Sequence, residues 1–130
     1  MKNVLIYLLD QNAKQGNILK YQLGCNGFKN IHYFTTSEEC LYAIHNNNHP
    51  EFIIMDPGIS NLNGLKFLQM VSQIDPGISV IVFSQNDDEA DMLTYLNAGA
   101  TDYIARTAYD HNSLRELISN LQYILKEKDL

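Results

Sequence analysis

Residues 52–58 read FIIMDPG: four apolar residues lead into Asp56, and the chain then turns at a Pro-Gly pair. A short unbroken apolar run is typical of a parallel strand that is buried on both faces. Such a strand, when it ends in an acid, places the carboxylate at the sheet edge where open α/β folds bind their ligands. Asp56 is therefore the first candidate functional residue, although a single acid after a strand is more commonly a turn or helix-capping residue.

The same pattern of short apolar runs and amphipathic segments continues along all 130 residues. It predicts strands at 4–9, 31–34, 52–56, 80–83 and 103–105, and helices at 13–23, 36–44, 67–74, 90–96 and 113–125. Strands that alternate with helices indicate one parallel sheet with right-handed crossovers and helices on both faces. We therefore predict a single α/β domain over residues 1–130.

Two of the predicted helices begin with a capping box, in which Ser or Thr is followed three residues later by Glu. The pairs are Thr36 with Glu39 and Ser113 with Glu116. The first helix has the weakest pattern, because Gly16 interrupts it and glycine is a poor helix former.

Composition and charge argue against several classes of function. Hydrophobic residues make up 45% of the chain and the formal net charge is -6, so the basic surface that nucleic-acid binding requires is missing. No apolar run approaches the ~20 residues of a membrane span, and we recognise no signal peptide. Cys25 and Cys40 lack CxxC spacing, and we expect buried free thiols in a cytoplasmic protein, with a disulfide left open.

Polar side chains follow four of the predicted strands, at the point where each strand ends. The first strand leads to Asp10 and Gln11, the third to Asp56, the fourth to Ser84 and the fifth to Arg106. In a parallel sheet these positions share one edge, and the crevice at the topological switch point can bring them together. Carboxylates, a hydroxyl and a fixed cation suit phosphoryl transfer, because its catalysis consists mainly of positioning and charge neutralisation.

The acid and the hydroxyl each belong to a longer spacing pattern. Gly64 follows Asp56 by eight residues, and Ser84 precedes the pair Gly99-Ala100 by fifteen. Either spacing alone is a weak signal of function, so the positions of the cation and of an aromatic residue matter as well.

Arg106 lies twenty-two residues after Ser84, and Tyr103 lies three residues before Arg106. With all four spacings, the chain resembles the receiver domain of bacterial two-component response regulators, the CheY-like family, over essentially its whole length. The resemblance implies a flavodoxin-like fold. This is one doubly wound parallel sheet of five strands in the order 2-1-3-4-5, with five helices.

The resemblance implies a role for each position. Asp56 would accept a phosphoryl group from a sensor histidine kinase or a histidine phosphotransfer protein, with Arg106 at the family's Lys position. Ser84 would hydrogen-bond the new phosphoryl group, and Tyr103 would turn inward behind it.

The surface of the fourth helix, fifth strand and fifth helix would then change for a downstream effector or output domain, and the last helix is a candidate homodimer face. The domain would be a phosphoryl acceptor rather than an enzyme, with self-catalysed phosphotransfer and dephosphorylation.

The resemblance also implies a Mg²⁺ site formed by Asp10, Asp56 and the backbone carbonyl of Gly58. The family's second acid after the first strand falls on Gln11, whose amide oxygen can bind Mg²⁺ but brings no charge. One charge lost at ~4 Å removes about 4 kcal/mol of gross attraction at an effective dielectric near 20. A shift of one residue in this loop would instead make Asp10 the main ligand, and the sequence leaves both assignments open.

Further departures from the family concern the cation and two prolines. Arg106 carries a longer, planar fork than Lys, and it would either reach the phosphoryl group or pair with Asp56 or Asp10. Thr107 and Ser60 stand where the family has proline. Because a cis peptide before a non-proline residue costs ~3 kcal/mol, we expect a trans bond between Arg106 and Thr107.

Two functions of different classes fit these observations. The first is a phosphorylatable receiver that accepts a phosphoryl group on Asp56. The second is a pseudo-receiver that binds its partner through the face of the fourth and fifth helices without phosphorylation. A flavodoxin-like cofactor binder fits less well, because the loop after the first strand lacks the hydroxyl-rich cradle expected of FMN binders.

Overall fold

The computed structural model describes residues 3–58, 63–106 and 111–128, in which strands and helices alternate as the sequence predicts. The elements are β1 (Leu5–Leu9), α1 (Ala13–Cys25), β2 (Asn30–Phe34), α2 (Ser37–Asn46), β3 (Phe52–Met55), α3 (Gly64–Ile74), β4 (Ser79–Ser84), α4 (Glu89–Asn97), β5 (Asp102–Ala105) and α5 (Asn112–Lys128). Ser60 and Thr107, with the peptide bond between Arg106 and Thr107, lie outside the described residues.

The five strands form one parallel sheet in the order β2-β1-β3-β4-β5, which confirms the predicted fold. The ends of the strands are in register. Leu9 pairs with Phe34 on one side and with Met55 on the other, and Ser84 pairs with Ala105. The residues that follow these strands therefore emerge together, at what we call the carboxyl edge.

Both faces of the sheet are covered, and alternate strand residues pack on opposite sides. Tyr7 and Leu9 of β1 share a hydrophobic cluster with α2 and α3. Ile6 and Leu8 belong to a second cluster with α1 and α5. The sheet is thus buried from both sides, as its unbroken apolar strands require. No helix in the described part of the chain is both long enough and apolar enough to cross a membrane.

One predicted helix start is confirmed, and the other helix begins slightly earlier than predicted. Thr36 precedes α2, and its hydroxyl accepts a hydrogen bond of 3.2 Å from the Glu39 amide. In contrast, α5 begins at Asn112, so Ser113 lies inside the first turn rather than before it. Capping-box spacing alone places a helix start only to within one or two residues.

Gly16 has a role that the helix pattern does not indicate. It is buried in α1 against the ring of Tyr33, and a Cβ atom at this position would overlap that ring. The close approach lets the Tyr33 hydroxyl donate a hydrogen bond of 2.7 Å to the main-chain oxygen of Asp10. Gly16 therefore weakens α1 as an isolated helix but helps to fix the end of β1.

The two cysteines are free, as expected, but the prediction that both are buried was wrong. Burial raises the pKa of the Cys40 thiol to about 12. Cys25 is exposed. It lies two residues after the buried Leu23 and therefore about 200° around the helix from it, on the opposite face of α1.

Candidate functional site

Asp56 directly follows β3 and is partly buried at the carboxyl edge. Its amide donates a hydrogen bond of 3.0 Å to the Leu9 carbonyl, which continues the pairing between β1 and β3. Its carboxylate oxygen Oδ1 accepts a hydrogen bond of 2.9 Å from the Gly58 amide. The sheet therefore fixes the backbone of Asp56, and the turn that follows orients its side chain.

Asp10 is the buried acid of the site, with 2% of its surface exposed. Its Oδ1 atom accepts a hydrogen bond of 2.9 Å from the Asn12 amide. Its Oδ2 atom is buried and has no hydrogen-bond partner among the described residues. Burial raises the pKa of the Asp10 carboxyl, and the nearby Asp56 charge adds to this, while the Asn12 amide and the Arg106 cation oppose it. A buried carboxylate oxygen without a partner is costly, and a bound cation would offset that cost.

Arg106 extends from the end of β5 towards Asp10. The distance from its Nη1 atom to Asp10 Oδ2 is 3.6 Å. Its Nη2 atom donates a hydrogen bond of 3.3 Å to the Gln15 side chain, and its guanidinium carbon lies 4.9 Å from the centre of the Phe83 ring. Of the alternatives that the sequence leaves open for this cation, the structure therefore shows the ion pair with Asp10.

Gln11 is exposed beside the turn that follows Asp56. Its amide nitrogen would lie 4.0 Å from a Cβ atom placed on Gly58, so its side chain extends over that turn. The described residues contain no cluster of three or more Asp, Glu, His or Cys side chains that could hold a metal ion. Mg²⁺ commonly binds one or two carboxylates and keeps several waters, so Asp10 and Asp56 with neutral oxygens nearby fit this ion.

Ser84 is the buried hydroxyl at the end of β4. Its Oγ atom accepts a hydrogen bond of 3.0 Å from the Asn86 amide. The Tyr103 hydroxyl donates a hydrogen bond of 2.8 Å to the Asn86 carbonyl, and the Tyr103 side chain is 4% exposed. Tyr103 therefore lies inside the fold, next to the connection between β4 and α4.

Asn86 also reaches α4 through its side chain. Its amide nitrogen donates a hydrogen bond to Asp91, and its side-chain oxygen accepts one of 2.9 Å from the amide of Asp88, the N-cap of α4. The sequence analysis missed Asn86, because the whole segment between β4 and α4 is polar and nothing in it marks this one residue. An Asn followed two residues later by Asp is compatible with an Asx turn, but many loops share that feature.

A cleft of about 490 Å³ lies between Asp56 and α4. Ser84, Asn86 and Tyr103 line it together with Tyr95 of α4. Burial raises the pKa of the Tyr95 phenol, and the neighbouring Tyr103, Asp91 and Asp56 add to this in that order. The cleft therefore contains the predicted acceptor and the predicted hydroxyl, with room for a bound group.

Tyr95 also explains the glycine at position 64. A Cβ atom on Gly64 would overlap the Tyr95 hydroxyl and would lie 3.3 Å from the Met55 methyl group. The ring of Tyr95 packs against that of Tyr103, with the ring centres 6.0 Å apart. The glycine at position 64 therefore allows a close approach of α4 to the start of α3.

The family model of the response regulator receiver domain matches residues 6–119. The KDP operon transcriptional regulatory protein KdpE of Escherichia coli (strain K12) is 30% identical over 106 residues, which are 82% of this chain and 45% of that protein. Response regulator MprA of Mycobacterium sp. (strain KMS) is 24% identical over 123 residues, 95% of this chain and 51% of that protein. The chain thus spans about half the length of these curated relatives.

Solved structures of receivers have the same fold. The receiver domain of Francisella response regulator 1452 has a TM-score of 0.84 at 22% identity, and 97% of this chain and 99% of that chain are covered. A two-component response regulator from Clostridium difficile has a TM-score of 0.86 at 19% identity, with 98% and 100% covered.

Receiver domains generally bind Mg²⁺ and interact with histidine kinases and output effectors, and two relatives of this chain, KdpE and CreB, are named as transcriptional regulatory proteins. The match to the family model extends from β1 into α5, and it includes Asp10, Asp56, Ser84 and Arg106 at the carboxyl edge. The chain belongs to the response regulator receiver domain family of bacterial two-component systems.

Proposed function

We propose that this chain is a phosphorylatable receiver that accepts a phosphoryl group on Asp56. The observation that carries the proposal is the cleft, in which the Asp56 carboxylate and the buried Ser84 hydroxyl line the same cavity. An Asp56 oxygen would attack the phosphorus of a phosphohistidine on a sensor kinase or phosphotransfer protein. The P–O bond forms as the P–N bond breaks, and the imidazole nitrogen leaves with the bonding electrons.

The chain's own residues would position and stabilise the phosphoryl group. The Ser84 hydroxyl, whose oxygen accepts a hydrogen bond from the Asn86 amide, would donate a hydrogen bond to a phosphoryl oxygen. Asp10, Asp56 and the Gly58 carbonyl would hold a Mg²⁺ ion, with the Gln11 amide as a neutral donor. When bound, this ion would neutralise charge on the phosphoryl oxygens. In the same proposal the domain promotes its own phosphorylation and dephosphorylation but acts on no separate substrate.

The pseudo-receiver alternative has less support. An ion pair between Arg106 and Asp56 would favour this alternative, but Arg106 pairs with Asp10 instead. Asp56 instead has a carboxylate oriented by the Gly58 amide at the cleft.

The proposal includes partners for input and output. A sensor histidine kinase or phosphotransfer protein would supply the phosphoryl group, in a cytoplasmic setting. A downstream effector or output domain would bind the face of α4, β5 and α5, where Leu93 and Leu96 of α4 are exposed. The same face is a candidate homodimer contact, and direct nucleic-acid binding by this domain is not expected at a net charge of -6.

Intact-mass measurement after incubation with acetyl phosphate and MgCl₂ tests the acceptor. Wild type should gain the mass of one phosphoryl group, and Asp56→Asn should gain none, because its amide is not a nucleophile for this step. Circular dichroism of both proteins controls for folding. If neither protein gains mass the receiver proposal fails, and an equal gain in both would place the acceptor elsewhere.

A further inference from the structure

Arg106 is held at the carboxyl edge by contacts with β4 and α1. Its amide donates a hydrogen bond of 2.6 Å to the Ser84 carbonyl, and its guanidinium contacts Gln15 of α1 at 3.3 Å. The same group lies 4.9 Å from the centre of the Phe83 ring, at a distance typical of a cation–π contact. These contacts fix a long side chain in a single direction, towards Asp10.

The contact between Arg106 and Asp10 compensates charge without a hydrogen bond. Nη1 lies 3.6 Å from Oδ2, whereas a charge-assisted hydrogen bond is ~2.8 Å long. The two side chains are 14% and 2% exposed, so water screens their attraction weakly. Asp10 Oδ2 has no hydrogen-bond partner among the described residues, so it can still accept a closer cation.

The charged side chains at the carboxyl edge determine how strongly a metal ion would be attracted to Asp10. Asp10 and Asp56 are the two acids, Gln11 is neutral, and Arg106 supplies one positive charge. A divalent ion on Oδ2 would repel a guanidinium a few ångströms away, because both carry positive charge. The positive charge of Arg106 should therefore weaken the binding of a divalent ion at Asp10.

We propose that Arg106 is a tethered counter-ion of Asp10 and that it competes with a divalent metal ion for this carboxylate. This inference rests on the magnesium site of the proposed function. It assigns Arg106 a positioning role towards Asp10. It also explains why Arg suits this position, as the counter-ion of Asp10, better than Lys. The planar fork can contact Asp10, Gln15 and Phe83 at once, whereas a compact ammonium group cannot.

The test compares Arg106→Gln with wild type by thermal melting over a series of MgCl₂ concentrations at constant ionic strength. A ligand that binds only the folded state stabilises it by RT ln(1 + [L]/Kd), so the rise of the melting temperature with MgCl₂ concentration gives a dissociation constant. We expect Arg106→Gln to melt lower than wild type without added metal and to bind Mg²⁺ about tenfold more tightly, equivalent to ~1.4 kcal/mol. Arg115→Gln removes the same charge from an exposed part of α5 and should match wild type.

A gain in Mg²⁺ affinity is the decisive result, because loss of a merely structural contact would not produce one. Equal or weaker binding by Arg106→Gln would overturn the competition, while phosphorylation of Asp56 would still support the proposed function. If neither protein binds Mg²⁺, both the competition and the metal site fail. Should Arg106→Gln not fold, Arg106→Lys keeps the charge but loses the fork, and its affinity should also exceed that of wild type.

Discussion

The Tyr103 hydroxyl holds the aromatic ring against the connection between β4 and α4, through its hydrogen bond of 2.8 Å to the Asn86 carbonyl. The ring lies inside the fold and packs beside Tyr95. At this position a single oxygen atom links the last strand to the loop that follows Ser84. Its removal therefore tests one contact without disturbing the packing of the ring.

We expect Tyr103→Phe to lower the free energy of unfolding by about 0.5–1.5 kcal/mol, because the Asn86 carbonyl loses its donor. Urea denaturation followed by circular dichroism measures this change. Tyr123→Phe is the matched control, since Tyr123 is 65% exposed and its hydroxyl can bond to water. The control should stay within about 0.5 kcal/mol of wild type. Equal effects of the two substitutions would contradict a structural role for the Tyr103 hydroxyl.

At the scale of elements, α1 carries two glycines in different surroundings. Gly16 faces the Tyr33 ring, whereas a Cβ atom on Gly24 would meet no other atom within 4 Å. Both glycines weaken the intrinsic helix, but only Gly16 is required by a neighbouring strand. Substitutions at Gly16 and Gly24 therefore distinguish the effect of helix propensity on stability from the effect of packing.

Gly24→Ala should stabilise the domain by up to about 1 kcal/mol, because alanine is the better helix former. Gly16→Ala should destabilise it by about 1–3 kcal/mol, because the new methyl group must displace the Tyr33 ring. That displacement would also disturb the hydrogen bond from Tyr33 to Asp10. Urea denaturation of both variants gives the comparison, and stabilisation by Gly16→Ala would show that Tyr33 moves freely.

At the scale of the whole molecule, charged contacts tie together the edge of the sheet opposite the site. His49, in the loop before β3, lies 2.8 Å from Asp75 at the end of α3. Lys128 of α5 lies 3.3 Å from Glu51 and stands over the Phe52 ring. Segments that are distant in sequence are therefore joined at this edge.

The His49–Asp75 pair should make stability depend on acid pH. The hydrogen bond from His49, and then the Gly77 amide, lower the pKa of Asp75 below its usual value of 3.8. A carboxyl with a lowered folded pKa contributes stability that is present above the unfolded pKa and is lost as the pH falls through the folded one. Wild type should therefore be more stable than Asp75→Asn at pH 5, with the difference disappearing as the pH falls well below 3.8.

Urea midpoints measured at a series of pH values provide this comparison. The substitution His49→Gln removes the first cause of the lowered pKa, so Asp75→Asn should have a smaller effect in that background. A difference between wild type and Asp75→Asn that stays constant down to the lowest pH would contradict the assignment.

The fold and the position of the candidate site could be predicted because both depend on local sequence features. Apolar runs mark the strands, and parallel pairing then brings Asp10, Asp56, Ser84 and Arg106 to one edge. The identity of the acceptor, the metal ligands and the switch residues stays a prediction, since these roles require a chemical test.

The contacts within the site could not be predicted, because they join residues that are far apart in sequence. Arg106 and Gln15 are 91 residues apart, and Tyr33 and Asp10 are 23 apart. No local pattern encodes which side chains meet after the sheet has formed. Asn86 was missed for another reason, since its contacts with Ser84 and Tyr103 use main-chain atoms that every residue type possesses.

Asn86 also determines how the connection between β4 and α4 can move. Its main chain bonds to Ser84 and Tyr103, while its side chain bonds to Asp91 and to the amide of Asp88. Rotation of this one residue would break several of these hydrogen bonds together, and a partial movement would leave polar groups without partners. Intermediate positions are therefore unfavourable. We expect each molecule to respond to its input in an all-or-none step, so that a graded output arises from the fraction of molecules that have switched.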